Sequence, residues 1–368
     1  MMSEILNRYE RAQKLLTEKG FEALITASAE NIQYFTGVLE PSIHTCGVAV
    51  VPKKAPCTLA VMWLDEEVAK EQAKVNVRKY TPYDEGEVIA NILEKSGIAK
   101  GKIGLDGRAI VVLENALRKN LPNLSLVNAG NAIEELRWVK SDEEISLIQK
   151  ACRIADKGMA AAIEALKPGT TELEVAALAE NEMISLGSDE MKHRSIVASG
   201  SRTRLIHPFA THKKIVKGEL IAIDLGAVYK GYCSDIARTA YIGKPTNGVK
   251  KDFETLRNAQ NAAIKKIQPN AAIKDIEAAA QGAAKEGGCE LIGHVGHSIG
   301  LKVEEDPHLW SARMPYPEKV DKNMTLALFQ TTIQSKLCLG LRLEDTVAVT
   351  ESETKLLTTY PRELSVIS

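Results

Sequence analysis

The segment that most narrows the fold is LIAIDLGAVYKGYCSDIARTAYIG at 220–243, two apolar runs joined by a short loop, with one aspartate in each run. A hairpin centred between Tyr229 and Lys230 sets Asp224 and Asp235 directly opposite one another on one face. Opposed side chains in such a pair lie about 4.5–5.5 Å apart, and like charges there are destabilising unless something compensates them. A divalent cation compensates them. Period-two alternation puts Ala222, Gly226, Cys233 and Ala237 on the same face, which leaves space beside the acids, and turns Ile221, Ile223 and Leu225 the other way. The plainer alternative, a solvated hairpin with two exposed acids, suits one aspartate better than a matched pair among small apolar neighbours.

Two further segments carry groups of the same chemistry. In GHVGHSIGLKVEEDPH, Gly293, Gly296 and Gly300 allow close backbone approach, while His294 and His297 offer imidazoles. In LGLRLEDTVAVTE, alternating Leu339, Leu341 and Leu343 bury one strand face and bring Arg342 and Glu344 together on the other. Alone, each has a bland reading, a hydrogen-bonded core histidine or a surface salt bridge.

A chain of 368 residues exceeds what one core usually organises, so two domains are expected. The first third alternates helix (4–19), strands (23–27, 47–51 and 57–63), helices (66–74 and 87–95) and a last short strand (124–128), an α/β pattern. A long helix then begins at Ser141, where Ser141 and Glu144 have capping-box spacing; Thr171 and Glu174 repeat it after Pro168-Gly169. These signals predict a first domain over 1–130 and a second over 135–368.

Basic and acidic residues number 47 and 48, a formal net charge of −1, without the basic excess expected of a nucleic-acid binder. No apolar run approaches the roughly 20 residues of a membrane span, and the charged amphipathic start is unlike a signal peptide. A cytoplasmic protein without a membrane partner is expected. Six scattered cysteines without a CxxC pair read as buried reduced thiols.

Together these segments resemble the pita-bread metallopeptidases, the family of methionine aminopeptidase, aminopeptidase P and prolidase, and within it the Xaa-Pro branch. FEALITASAENIQYFTG resembles that branch's first domain, ELRWVKSDEEISLIQKACRIAD its junction helix and KPGTTELEVAALAE the helix after it. SIVASGSRTRLIHP, IDLGAVYKGYCSD, GHSIGL and LRLEDTV follow in the order of its catalytic motifs. The resemblance implies a creatinase/prolidase-type α/β N-terminal domain before an α+β pita-bread catalytic domain. It implies a short peptide substrate cleaved at an Xaa-Pro bond and a homodimer. It also implies one or two divalent ions per chain, with Mn²⁺, Co²⁺ or Zn²⁺ as candidates. Carried over by motif, Asp224 is a terminal ligand, Asp235 and Glu344 are bridges, and His297 binds the second metal. His207 of LIHP contacts substrate and leaving group, and Arg342 is a further candidate for substrate binding.

Two positions depart from the family pattern. The family's fourth carboxylate, a metal ligand that also takes a proton from the attacking water, lies in a segment like TIEP; this chain reads MTLALFQTTI. Spacing from Glu344 places it at Gln330, and alignment from Met324 places it at Phe329. The family's second histidine, seven residues after the ligand histidine, is Glu304 here. Glu304 could replace the missing acid, and His294 or His308 the missing imidazole. With one ligand short, fewer than two tightly held metals per chain are expected. A creatinase-like non-peptidase and an inactive binding relative are the alternatives to a peptidase.

Overall fold

The computed structural model describes residues 2–39, 47–191, 193–313, 317–329, 333–334 and 340–368. Gln330, Leu339, Cys46 and Cys338 lie outside the described residues. The chain divides into two compact units, Met1–Arg137 and Trp138–Ser368.

The first unit carries helices α1 (Met2–Lys19), α2 (Ala29–Thr36), α3 (Glu66–Gln72), α4 (Glu85–Lys95) and α5 (Gly107–Asn120). They accompany strands β1 (Ala23–Thr26), β2 (Val48–Pro52), β3 (Thr58–Met62), β4 (Asn76–Tyr80), β5 (Gly101–Leu105) and β6 (Leu124–Asn128). The six strands form one mixed sheet in the order β4-β3-β2-β1-β5-β6. Its central strands β1 and β2 are buried along their whole length, as expected of a sheet covered on both faces. Asp106 stabilises the α5 start by accepting from the Ala109 amide at 3.0 Å. Helix α6 (Gly130–Trp138) follows.

The second unit is built from two helix pairs, each packed on its own sheet. Helices α7 (Asp142–Ala165) and α8 (Glu172–Ser185) both begin with a complete capping box, Ser141/Glu144 and Thr171/Glu174. They bury Ile154, Met159, Val175 and Met183 with Ile221, Ile223 and Leu225. Those three belong to β8 (Leu220–Leu225), which lies between β7 (Ile196–Ser199) and the far partner of the hairpin. The hairpin continues through β9 (Val228–Tyr229) and β10 (Tyr232–Cys233) into β11 (Ile236–Ile242). Lys230 and Gly231, with φ of 48° and 78°, make the two-residue left-handed turn that matches strand twist.

That turn corrects the expected register. Tyr229 pairs with Tyr232, and Asp224 pairs with Ala237 rather than with Asp235. The turn sits at Lys230-Gly231 because these are the residues in left-handed backbone. The shift is by two positions on the partner strand, so Asp224 and Asp235 keep a common face.

Helices α9 (Asn247–Lys266) and α10 (Ile273–Glu286) cover the second sheet. Its supporting strands are β12 (Glu290–Leu291), β13 (Gly296–Ser298), β14 (Glu305–His308), β15 (Thr325–Leu328), β16 (Ile333–Gln334), β17 (Asp345–Val349) and β18 (Thr354–Leu356). Five of them run β14-β13-β15-β17-β18, and β12 pairs separately with β16. Leu326, Leu328, Leu341 and Leu343 enter the core under α9 and α10, which turns Ala327, Arg342 and Glu344 the opposite way. Strand β19 (Ser365–Ile367) returns to pair in parallel with β11. Cys57, Cys152, Cys233 and Cys289 are buried thiols. Among the described residues no helix is long and apolar enough to cross a membrane.

Candidate metal centre

The faces turned away from the two helix pairs meet at Asp235. Its amide donates to Thr346 Oγ1 at 3.0 Å, and Thr346 Oγ1 donates to its carbonyl at 2.8 Å, so β17 fixes the backbone on which the carboxylate stands. Ala237 and Glu344 form a bridge, with amide–carbonyl distances of 3.0 and 3.3 Å, which ties the first sheet to the second.

Around Asp235 lie two groups, each of one imidazole and two carboxylates. In the first, His193 Nε2 is 3.8 Å from Asp224 Oδ1 and 3.9 Å from Asp235 Oδ1. In the second, His297 Nε2 is 3.8 Å from Asp235 Oδ2 and 3.9 Å from Glu344 Oε1. Each set brings its ligand atoms within 4.8 Å of one another, a size that admits one cation, and the two oxygens of Asp235 serve opposite sides. Asp235 Oδ1, His297 Nε2 and both Glu344 carboxylate oxygens are buried without a hydrogen-bond partner among the described residues. Buried polar atoms left this way are costly unless something else binds them. The donors fit a hard or borderline divalent ion, with oxygen in excess and one imidazole to each group.

The electrostatics agree. Burial pushes the Glu344 carboxyl well above its ordinary range, with Asp235 and Asp224 adding to the shift. Burial likewise raises Asp235, opposed by its contact with His193. His297 is pushed down to about 4 by burial, so it is a neutral donor at neutral pH. For His193 burial also disfavours the charge, but Asp235 and Asp224 outweigh it and lift the imidazole to about 9.

Of the residues singled out from sequence, Asp224, Asp235, His297 and Glu344 come together here. Arg342 is buried beside them. Its Nη1 donates to Asp224 Oδ2 at 2.6 Å, and its Nη2 to the carbonyls of Leu205, at 3.0 Å, and Ile206. His207 follows that clamped pair on an exposed loop. The loop touches the His193 segment, since the Arg194 guanidinium lies 4.4 Å from the centre of the Phe209 ring.

The two departures resolve differently. Phe329 is buried with a φ of 83°, and it packs with Leu326 and Leu328 in the helix-side core. The left-handed backbone turns it away from the face of Ala327, so it brings nothing to either group. Glu304 accepts from His308 Nε2 at 2.6 Å, a contact that pulls its carboxyl down to about 2. His294 lies beside both, with its ring 5.4 Å from that of His308 and 5.8 Å from that of His297. Glu304 belongs to neither metal-sized group among the described residues.

Residues 146–351 match the model of metallopeptidase family M24, and 8–139 match the creatinase/prolidase N-terminal domain. The chain belongs to metallopeptidase family M24. The peptidase is 34% identical to an Xaa-Pro dipeptidase of Pyrococcus furiosus over 97% of this chain and 99% of the relative. It is 30% identical to an uncharacterized peptidase, YqhT, of Bacillus subtilis over 98% of this chain and all of that one. Among solved structures, the prolidase from Pyrococcus horikoshii OT3 superposes with a TM-score of 0.86 at 31% identity, covering 97% of this peptidase and 99% of that chain.

His193 was not read from the sequence. It stands in a loop with no strand or helix periodicity. The available signal was Gly226, a glycine next to the aspartate pair where any side chain would meet an imidazole.

Proposed function

We propose that this peptidase hydrolyses the Xaa-Pro bond of short peptides, with Asp224, Asp235, His297 and Glu344 holding divalent cation. The observation that carries the reading is the buried Asp235 carboxylate, whose two oxygens each face an imidazole and a second carboxylate. The Xaa-Pro specificity rests on full-length relatives that bear the name Xaa-Pro dipeptidase. A bound divalent ion polarises the scissile carbonyl and lowers the pKa of water. Arg342 fixes Asp224 with one nitrogen and the loop before His207 with another, so the metal side and the substrate side are positioned by one buried fork. His207, exposed just beyond that clamp, meets substrate. Phe329 offers no base, so the proton falls to a carboxylate of the centre, Glu344. A cytoplasmic homodimer accompanies this reading; sedimentation of the purified protein tests the dimer.

Proline release from an Xaa-Pro dipeptide should require added Mn²⁺ or Co²⁺ and stop in chelator. Asp235→Asn should reduce it about a thousandfold or more. Undiminished turnover in chelator, or by Asp235→Asn, would overturn the proposal.

A further inference from the structure

We infer that His193 is a metal ligand of this peptidase, completing with Asp224 and Asp235 a cation site of its own beside that of His297. The inference rests on the metal-centre reading above and adds a donor that this reading does not contain.

Three observations point to it. First, both imidazoles are presented in one manner. His193 Nδ1 lies 3.1 Å from the carbonyl of Arg194, and His297 Nδ1 lies 3.0 Å from that of Ser298. A backbone carbonyl on Nδ1 selects the tautomer that leaves Nε2 with its lone pair, the arrangement typical of metal-bound histidine. In each case that Nε2 faces the carboxylates.

Second, the loop that brings His193 is fastened to the hairpin carrying the acids. Asp189 N donates to Val228 O at 2.8 Å, and Ser188 Oγ accepts from Val228 N at 3.0 Å. Gly231 N donates to Asp189 Oδ2 at 2.8 Å, and Met191 bridges to Ala227. Beyond His193, Ser195 N donates to Glu180 Oε1 at 3.2 Å. The imidazole is therefore held from both sides of its loop.

Third, the opposing strand makes room for it. A Cβ at Gly226 would lie 3.1 Å from His193 Nε2 and 2.9 Å from Ser234 O, so the ring occupies space that only glycine leaves. Phe329 has withdrawn into the helix-side core, so the family's fourth carboxylate is absent at that position; His193 approaches from a different element and returns a donor to the centre. Two cations per chain then become the expected stoichiometry, in place of the lower count that follows without this histidine.

The competing explanation is that His193 is a counter-ion for two acids. The two predict opposite signs. Chelator-treated wild type, His193→Ala, Gly226→Ala and His297→Ala are titrated with Co²⁺ by calorimetry, and the visible Co²⁺ absorption is recorded. Thermal unfolding in chelator confirms that each variant is folded. The wild type should bind two Co²⁺ per chain. His193→Ala should weaken one of them about tenfold or more and change its absorption, with the other intact. Gly226→Ala should weaken that same equivalent by crowding the ring, and His297→Ala the other. Co²⁺ binding to His193→Ala that is unchanged or tighter would overturn the inference and leave the metal centre standing. A wild type that binds no Co²⁺ would overturn both.

Discussion

The two histidines flanking Asp235 are made from the same parts and behave oppositely. His193 sits in a loop with 26% of its side chain exposed, faces two aspartates, and is lifted to about 9. His297 sits on β13 with no exposure, faces Asp235 and Glu344, and is lowered to about 4. Burial disfavours the charge on both, and the opposing groups separate them. At His193 the Asp235 and Asp224 carboxylates outweigh burial, whereas at His297 the Ser298 carbonyl and the more distant Glu304 do not. A centre with one rigid, neutral donor and one that must give up a proton to bind has two unequal halves.

The largest test removes the guanidinium hydrogen-bonded to one half. Arg342 pairs with Asp224, on the His193 side, and breaking that buried ion pair should destabilise the chelated protein by about 3–5 kcal/mol in Arg342→Met. Denaturant unfolding measures this, and added Mn²⁺ should recover part of the loss by replacing the missing charge. A variant that instead loses the His297-dependent cation would erase the distinction between the halves.

Next is the pH dependence of stability without metal. His193 binds a proton more tightly folded than unfolded, so its contribution is fully present below pH 6.5 and is lost as pH rises to about 9. His297 resists protonation in the fold, so its effect runs the other way: stability falls as pH drops from 6.5 towards about 4. Each is of the order of 3 kcal/mol. Comparing wild type with His193→Ala and with His297→Gln across pH 4–9 in chelator should give slopes of opposite sign in separate windows. Parallel profiles would break the comparison.

The smallest effect is at Glu304, which is 44% exposed and bonded to His308. Its lowered carboxyl stabilises the fold above pH 4.5, and this is lost as pH falls through about 2. Solvent screening holds the contribution below about 1 kcal/mol. Glu304→Gln should therefore alter acid unfolding only slightly and leave Co²⁺ stoichiometry unchanged. A lost equivalent would extend the His297 half to this cluster.

The strand-borne part of the centre was legible in the sequence because alternation has only two outcomes. With Ile221, Ile223 and Leu225 in the core, Asp224 had to face away, and Leu341 and Leu343 did the same for Arg342 and Glu344. The register was missed by two positions, an error that parity forgives. Phe329 shows where alternation fails, since one left-handed residue reverses the face. His193 shows where it is silent, because nothing local in its loop reports the hairpin that the loop will meet. In the first unit, β5 carries two glycines and β4 is polar along most of its length, so neither announces itself as a strand. The sheet's remaining strands still made the α/β class evident.

Arg238 donates to the carbonyls of Glu344, Tyr360 and Pro361 and to Asp345, and β19 lies along β11. During synthesis, then, the hairpin with its two aspartates emerges well before the residues that lock Glu344 in place. A nascent chain on the ribosome carries all three residues of the His193 group long before Glu344 is locked, and the His297 group stays incomplete until residues near 365 have been released. Completion of that second half is thereby deferred to the last stage of folding, and the same late contacts make it a reporter of whether the whole second unit has closed.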